Sequence, residues 1–310
     1  MNGNIYSSIS KIDKQFLIWI DRKLENSLIG NVYSVYDKVI NFISPSKDHL
    51  FTLALEEVVQ SPQMMKTSNN NNFSQMKSNV EIGTPILRYG EKAIIIGNMI
   101  WDYSNAEVWN GDIVTKELEN NKFTKESLKE ISNFLEGNGL DSGLLSAWYE
   151  YSYKTEFRKK SMSIFTDLFL DRIKKMHIAI KNNNDDEFIN SSYGFIGLGI
   201  GLTPSGDDFI LGCLTVWKYL KSPLYDLFIN NNSIEKLKGR STTVSYFMLK
   251  NCMNGFVNEA LLKLLKFKDE YSDMDFSLHN LLKIGSTSGT DMLIGVIFAY
   301  EHELYKKEEV

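Results

Sequence analysis

One stretch of this chain occurs twice. From Ser205 it reads SGDDFILG and from Ser288 it reads SGTDMLIG, so a serine, a glycine, an acid in fourth place, an apolar triplet and a closing glycine recur without a gap. Each copy leaves a turn rich in hydroxyl groups and glycine and enters an apolar segment, the pattern of a helix with a shaped N-terminus. Asp208 and Asp291 take equivalent places, as do Gly212 and Gly295. Acid and glycine four residues apart share one helix face, and the glycine lets a second helix cross closely. If the two helices pack as a pseudo-symmetric pair, both N-termini converge on one pocket. That pocket would present Thr203, Ser205, Thr287, Ser288 and many amides to an anionic or carbonyl-rich ligand. Helices that merely pack together would need much the same residues, so packing is the rival explanation.

The first turn carries Gly197, Gly199, Gly201 and Gly206, four places where the backbone can take positive φ or approach a ligand. Pro204 disfavours helix at Thr203, which leaves Ser205 to cap a helix beginning at Gly206 or Asp207. Asp207 and Asp208 suit a first turn through the helix dipole. A Walker A loop is excluded, because no Lys occurs between Phe195 and Trp217. A dinucleotide fingerprint is excluded too, because Leu202 stands where its third glycine belongs. What is left is a helix tip able to bind an anion, beside two carboxylates that would repel it. Either a divalent ion such as Mg²⁺ bridges the acids to an anionic ligand, or the acids bond backbone and hydroxyl groups and shape the loop.

Between the repeats, Arg240 stands beside the hydroxyl cluster Ser241, Thr242, Thr243 and Ser245. A guanidinium there suits a carboxylate or phosphate, while Thr242 serves equally as a helix cap. His49, His177, His279 and His302 are scattered without metal-ligand spacing, and Cys213 and Cys252 fall in apolar patterns, where cysteine is a small buried hydrophobe. No metal site or cofactor is expected from these residues, Mg²⁺ at the acidic turn being the one ion in view.

With 310 residues, 43% of them hydrophobic, the chain can bury one large core or two smaller ones. A net charge of −5 argues against a nucleic-acid surface. The longest apolar run, Met292 to Tyr300, is too short to cross a bilayer, and a cytoplasmic protein is expected. The periodicity predicts a helix over Ile9–Leu28, then strands over Leu50–Val59, Glu81–Tyr89 and Lys92–Gly97, with a hairpin turn at Arg88–Lys92. Ser68–Asn72 reads as a solvated loop, and the asparagine clusters Asn182–Asn184 and Asn230–Asn232 as loops between helices. Helices are predicted at Lys125–Leu135, Gly143–Phe157, Ser161–Lys181, Asp207–Leu220, Thr243–Met253, Phe256–Phe267 and Ser288–Tyr305. Trp101 and Trp109 read as aromatics that close the core of the β-rich part. The expected fold class is α+β: a β-rich domain over residues 1–115 and a helical domain over 116–310 that carries both SG-x-D motifs.

GLGIGLTPSGDDFILG, the RSTTVS segment with Gly255 and Glu259 after it, and IGSTSGTDMLIG together resemble the AllH-type family, and the similarity covers most of the chain. The resemblance implies a subunit of an oxamate carbamoyltransferase. Such a complex of unlike subunits moves a carbamoyl group between oxamate or oxalurate and phosphate, in anaerobic allantoin breakdown. Carried over by motif, Thr203, Ser205, Asp207, Asp208, Ser288, Gly289 and Asp291 become functional positions. Relatives often carry His in the place of Ser286; were that His an acid or base, this chain would lack it. The combined expectation makes Asp207, Asp208 and Asp291 catalytic. Gly201, Thr203, Ser205, Gly206, Arg240, Thr242, Thr243, Thr287, Ser288 and Gly289 then bind a small anionic substrate. Two alternatives stand beside it: a nucleotide- or Mg²⁺-dependent kinase or ligase, and a non-catalytic assembly subunit.

Overall fold

The structure is a computed structural model and describes residues 5–114, 124–140, 142–152, 165–231, 234–266 and 271–306. The chain forms two compact units that divide after Gly111. The boundary expected between residues 115 and 116 lies outside the described residues.

The first unit holds strands β1 (Ile5–Ser8), β2 (Lys11–Asp13), β3 (Leu28–Val35), β4 (Val39–Ile43) and β5 (Leu50–Leu55). It continues with β6 (Met64–Thr67), β7 (Pro85–Tyr89), β8 (Ala93–Ile96), β9 (Met99–Asp102) and β10 (Glu107–Trp109). All belong to one sheet of order β1-β9-β8-β7-β3-β4-β5-β6-β2-β10. Its two ends are sewn together by one kinked segment, because Ser8 pairs with Asp102 while Lys11, three residues on, pairs with Glu107. Curling in this way leaves the sheet little free edge. Its interior is filled by Ile12, Phe42, Phe51, Met65 and Trp101, joined by residues of two helices, α1 (Lys14–Asp21) and α2 (Asn70–Asn79). Phe16 of α1 stacks on Phe51 with ring centroids 4.3 Å apart.

Three expectations change here. The long helix over Ile9–Leu28 is a short strand followed by α1, because Asp13 stops the strand and caps the helix, accepting from the N–H groups of Gln15 and Phe16 at 3.1 Å. Ile12, Phe16 and Ile20 do face one core, but Ile12 does so from β2, and Leu24 is exposed. The polar run Ser68–Asn72 is not a loop throughout: Asn69 caps α2 by accepting from Asn72 N–H at 3.0 Å, and Phe73 and Met76 then fill the core. Strands β1, β3, β4, β6, β9 and β10 were not foreseen. The hairpin at Arg88–Lys92 is present, with Tyr89 opposite Ala93 and Gly90 at φ 52°. Trp101 is fully buried in the core, whereas Trp109, expected beside it, is only partly buried and stands outside the core cluster.

The second unit contains α3 (Lys125–Asn138), α4 (Leu145–Tyr151), α5 (Thr166–Lys181), α6 (Asp185–Gly194), α7 (Ser205–Tyr219) and α8 (Pro223–Asn231). It ends with α9 (Ile234–Leu237), α10 (Thr243–Met253), α11 (Glu259–Leu265), α12 (Tyr271–Leu282) and α13 (Ser288–Lys306). The α+β class is therefore as expected. Residues 153–157, 161–164 and 267 of the predicted helices lie outside the described residues. Helix α6 occupies a stretch with no predicted element; Asn184 ends the asparagine loop by capping it. Asn230 and Asn231 belong to the end of α8 rather than to a loop. Among the described residues no helix is long and apolar enough to cross a membrane.

Helices α7 and α13 form the centre of this unit, apolar and buried almost all round, as helices inside a core are. Their crossing is reciprocal. A Cβ at Gly212 would collide with the Met292 carbonyl, and a Cβ at Gly295 would collide with the Phe209 carbonyl, the equivalent atom of the other helix. Only glycine permits backbones this close. The Cys213 thiol, on the same face, donates to the Gly295 carbonyl at 3.3 Å.

Candidate functional site

The two helix tips meet. The hydroxyl groups of Thr203, just before α7, and Ser288, the first residue of α13, lie 2.7 Å apart. Ser205 does not cap α7 as expected. Pro204 takes the cap position at φ −55° and ψ 140° without a side-chain bond, and Ser205 is the first helical residue. Its hydroxyl is thereby released to hydrogen-bond toward Asp291 of the partner helix. Ser288 does the converse, bonding toward Asp208, where Thr203 joins it. Thr287 completes the set on Asp291. The repeat is thus a swap in space: each serine serves the acid of the other helix.

Asp208 is 1% exposed and Asp291 0%. Burial raises Asp208 well above the usual carboxylate range and the charge of Asp291 raises it further, while the hydroxyls of Ser288 and Thr203 pull back. Burial pushes Asp291 up to about 7 against the opposing bonds from Leu144 N–H, Ser205 and Thr287. The Leu144 N–H donates to Asp291 Oδ1 at 2.7 Å, and Gly143 lies directly against that carboxylate. Leu144 was not predicted at the site, although a glycine before an apolar helix start was the available signal.

Asp207 has a different environment. Its Oδ1 accepts from Gly197 N–H at 2.7 Å, and its Oδ2 accepts from Ser245 at 2.6 Å and from Ser241. Burial raises its pKa and these donors oppose the rise. Of the two sequence alternatives for the acids, Asp207 follows the second: it bonds backbone and hydroxyl groups and fixes the loop. Gly197, Gly199 and Gly201 give that loop its shape at φ 79°, 124° and 96°. Thr242 caps α10 by accepting from Ser245 N–H at 3.1 Å and also donates to the Leu202 carbonyl, so it clasps the loop to α10.

Of the other expected site residues, Gly206 and Gly289 fit tightly, their missing side chains leaving room for the carbonyls of Phe195 and Leu281. Gly201 is exposed, and Thr243 is the partly exposed first residue of α10. Arg240 lies with its guanidinium 4.4 Å from the centre of the Tyr193 ring. Ser286 is exposed, next to Gly285 at φ 60°. Among the described residues, no group of three His, Cys, Asp or Glu side chains could hold a metal ion. Sequence reading also missed a cluster away from the tips: Tyr151 Oη lies 2.8 Å from His177 Nδ1, which lies 3.0 Å from His302 Nε2. Spacings of 26 and 125 residues gave no hint of it.

Taken together these features define an α+β protein whose helical unit is organised by two crossed, glycine-notched helices with their N-termini joined over a buried acid pair. The chain belongs to the AllH family. A family model described as oxamate carbamoyltransferase subunit AllH matches residues 195–300, and the AllH family N-terminal domain matches residues 7–108. The first match contains both turns, and the second falls within the sheet unit. No curated protein and no solved structure matches the chain.

Proposed function

We propose that this chain is the ligand-holding subunit of an oxamate-type carbamoyltransferase complex. There it takes part in moving a carbamoyl group between oxamate or oxalurate and phosphate, with carbamoyl phosphate as the phosphorylated partner. The observation that carries this reading is the meeting of the α7 and α13 tips, with Thr203 and Ser288 in contact. Helix N-termini offer unpaired N–H groups and a positive dipole end, which suit a planar carbonyl anion and the oxyanion that develops on it. Thr203, Ser205, Thr287 and Ser288 would orient the ligand, and Asp207 with Thr242 would hold the loop over it. Membership of a family of transferase subunits supports partners of unlike sequence. So does the chemistry of the tips: among the described residues, none of their hydrogen bonds involves Lys, Arg or His. Cationic side chains for phosphate would then come from the other subunits.

The test is Ser205→Ala combined with Asp208→Ala in the reconstituted complex, with circular dichroism to confirm the fold. Transfer should fall by about 100-fold or more, the loss typical of removing an oxyanion donor. Unchanged transfer would remove the turns from the mechanism.

A further inference from the structure

We infer that Asp208 and Asp291 hold one proton between them at neutral pH and above, so that the pair carries a single negative charge beneath the two helix tips. Both side chains are more than nine-tenths buried. On each, Oδ2 is a buried atom with no hydrogen-bond partner. The swapped serines bring the two acids to one place, Ser205 bonding toward Asp291 and Ser288 toward Asp208. Two unpartnered carboxylate oxygens in one dry site are costly as a pair of anions and are both satisfied by one shared proton. The remaining charged neighbour on α7, Asp207, is itself an acid and is occupied by its own donors. The Gly143–Leu144 segment brings only a backbone N–H.

A metal cation is the other source of positive charge, and the site does not suit it. Mg²⁺ and Ca²⁺ need about six or more oxygen ligands. Here Asp291 Oδ1 is already taken by an amide, and two helix N-termini point their positive ends at the same place. The shared proton also removes the conflict between paired acids and an anionic ligand, and this consequence rests on the anion-binding reading above. The titration itself needs no ligand, so either can fail without the other.

The test is carbon-13 NMR of the full chain labelled at aspartate carboxyl carbons, from pH 5 to pH 9, for wild type, Asp208→Asn and Asp291→Asn. One protonated aspartic acid should persist in the wild type at pH 8; Asp208→Asn should remove it, and Asp291→Asn should move its ionisation to lower pH, since the like charge is gone while burial still raises Asp208. Two ionised carboxylates at pH 7 would overturn the inference, as would a stoichiometric metal ion removed by chelation. Where a variant does not fold, the wild-type titration alone decides. A second readout follows from linkage. Asp291 has its folded pKa raised to about 7, so its contribution to stability is complete below the unfolded value near 4 and is lost as pH rises through 7. The wild-type Tm should therefore fall between about pH 4 and pH 7, and Asp291→Asn should flatten that fall.

Discussion

The two turns are alike in their first, second, fourth and eighth places and unlike in the third, where α7 has Asp207 and α13 has Thr290. In the fourth place the two acids are interchangeable in kind, each buried and each served by the serine of the other helix. In the third place each residue ties its own tip to a different neighbour. Asp207 gathers Gly197, Ser241 and Ser245, whereas Thr290 accepts the Leu140 N–H at 3.1 Å. The shared positions build what is common to both tips, and the divergent position builds the local scaffold. An acid in a first helical turn is therefore two different things within one motif.

The reciprocal crossing gives the largest expected effect. Gly212→Ala and Gly295→Ala each push a methyl group into a carbonyl of the facing helix. Each should cost about 3 kcal/mol, the upper part of the usual range for overpacking, measured by urea unfolding. Since each substitution opens the same crossing, the double variant should cost clearly less than the two singles added. Unequal single costs would show that the pseudo-symmetry of the repeat does not extend to its energetics.

Next in size is Asp207→Ala. It leaves the Gly197 N–H and the hydroxyls of Ser241 and Ser245 without their acceptor in a largely buried place. A loss of about 2 to 3 kcal/mol in unfolding free energy follows from the cost of unsatisfied buried donors. In the reconstituted complex its damage to transfer should be rescued in part by Asn, which still accepts through one oxygen. Asp208 bonds toward the hydroxyls of Ser288 and Thr203 at the tips rather than to a loop amide, so this rescue separates a scaffold acid from a member of the pair.

Much of this was legible in the chain because it is local. The start and end of α10 were read from Thr242, which caps it, and Gly255, which follows it at φ 85°. The pairing of Asp208 with Asp291 is read from the repeat because the two copies align without insertion or gap. Ser205 was misjudged because Pro204 supplies an extended backbone at the cap position, leaving the serine inside the helix. The polar asparagines before α2 look like loop until Asn69 is seen to cap. β3 and β4 are interrupted by Gly30, Asn31 and Asn41, whose places are decided by strand partners far along the chain. The Leu144 N–H on Asp291 is a tertiary fact that Gly143 only hints at, and the contact of His177 with His302 has no local signature.

The smallest effect sharpens the comparison most. Thr290→Val keeps the shape of the side chain and removes one acceptor, leaving the Leu140 N–H to solvent or unpaired. About 1 kcal/mol should be lost in urea unfolding, the net worth of a single neutral hydrogen bond. Because Leu140 is exposed, water can replace part of that bond and hold the cost to this level. Hydrogen exchange should speed up at Leu140 while the amide of Gly197 stays protected, since that amide is held by Asp207. If Thr290→Val instead loosened the Gly197 loop, the third positions would act as one unit across the crossing, and the division between shared pair and separate scaffolds would fail.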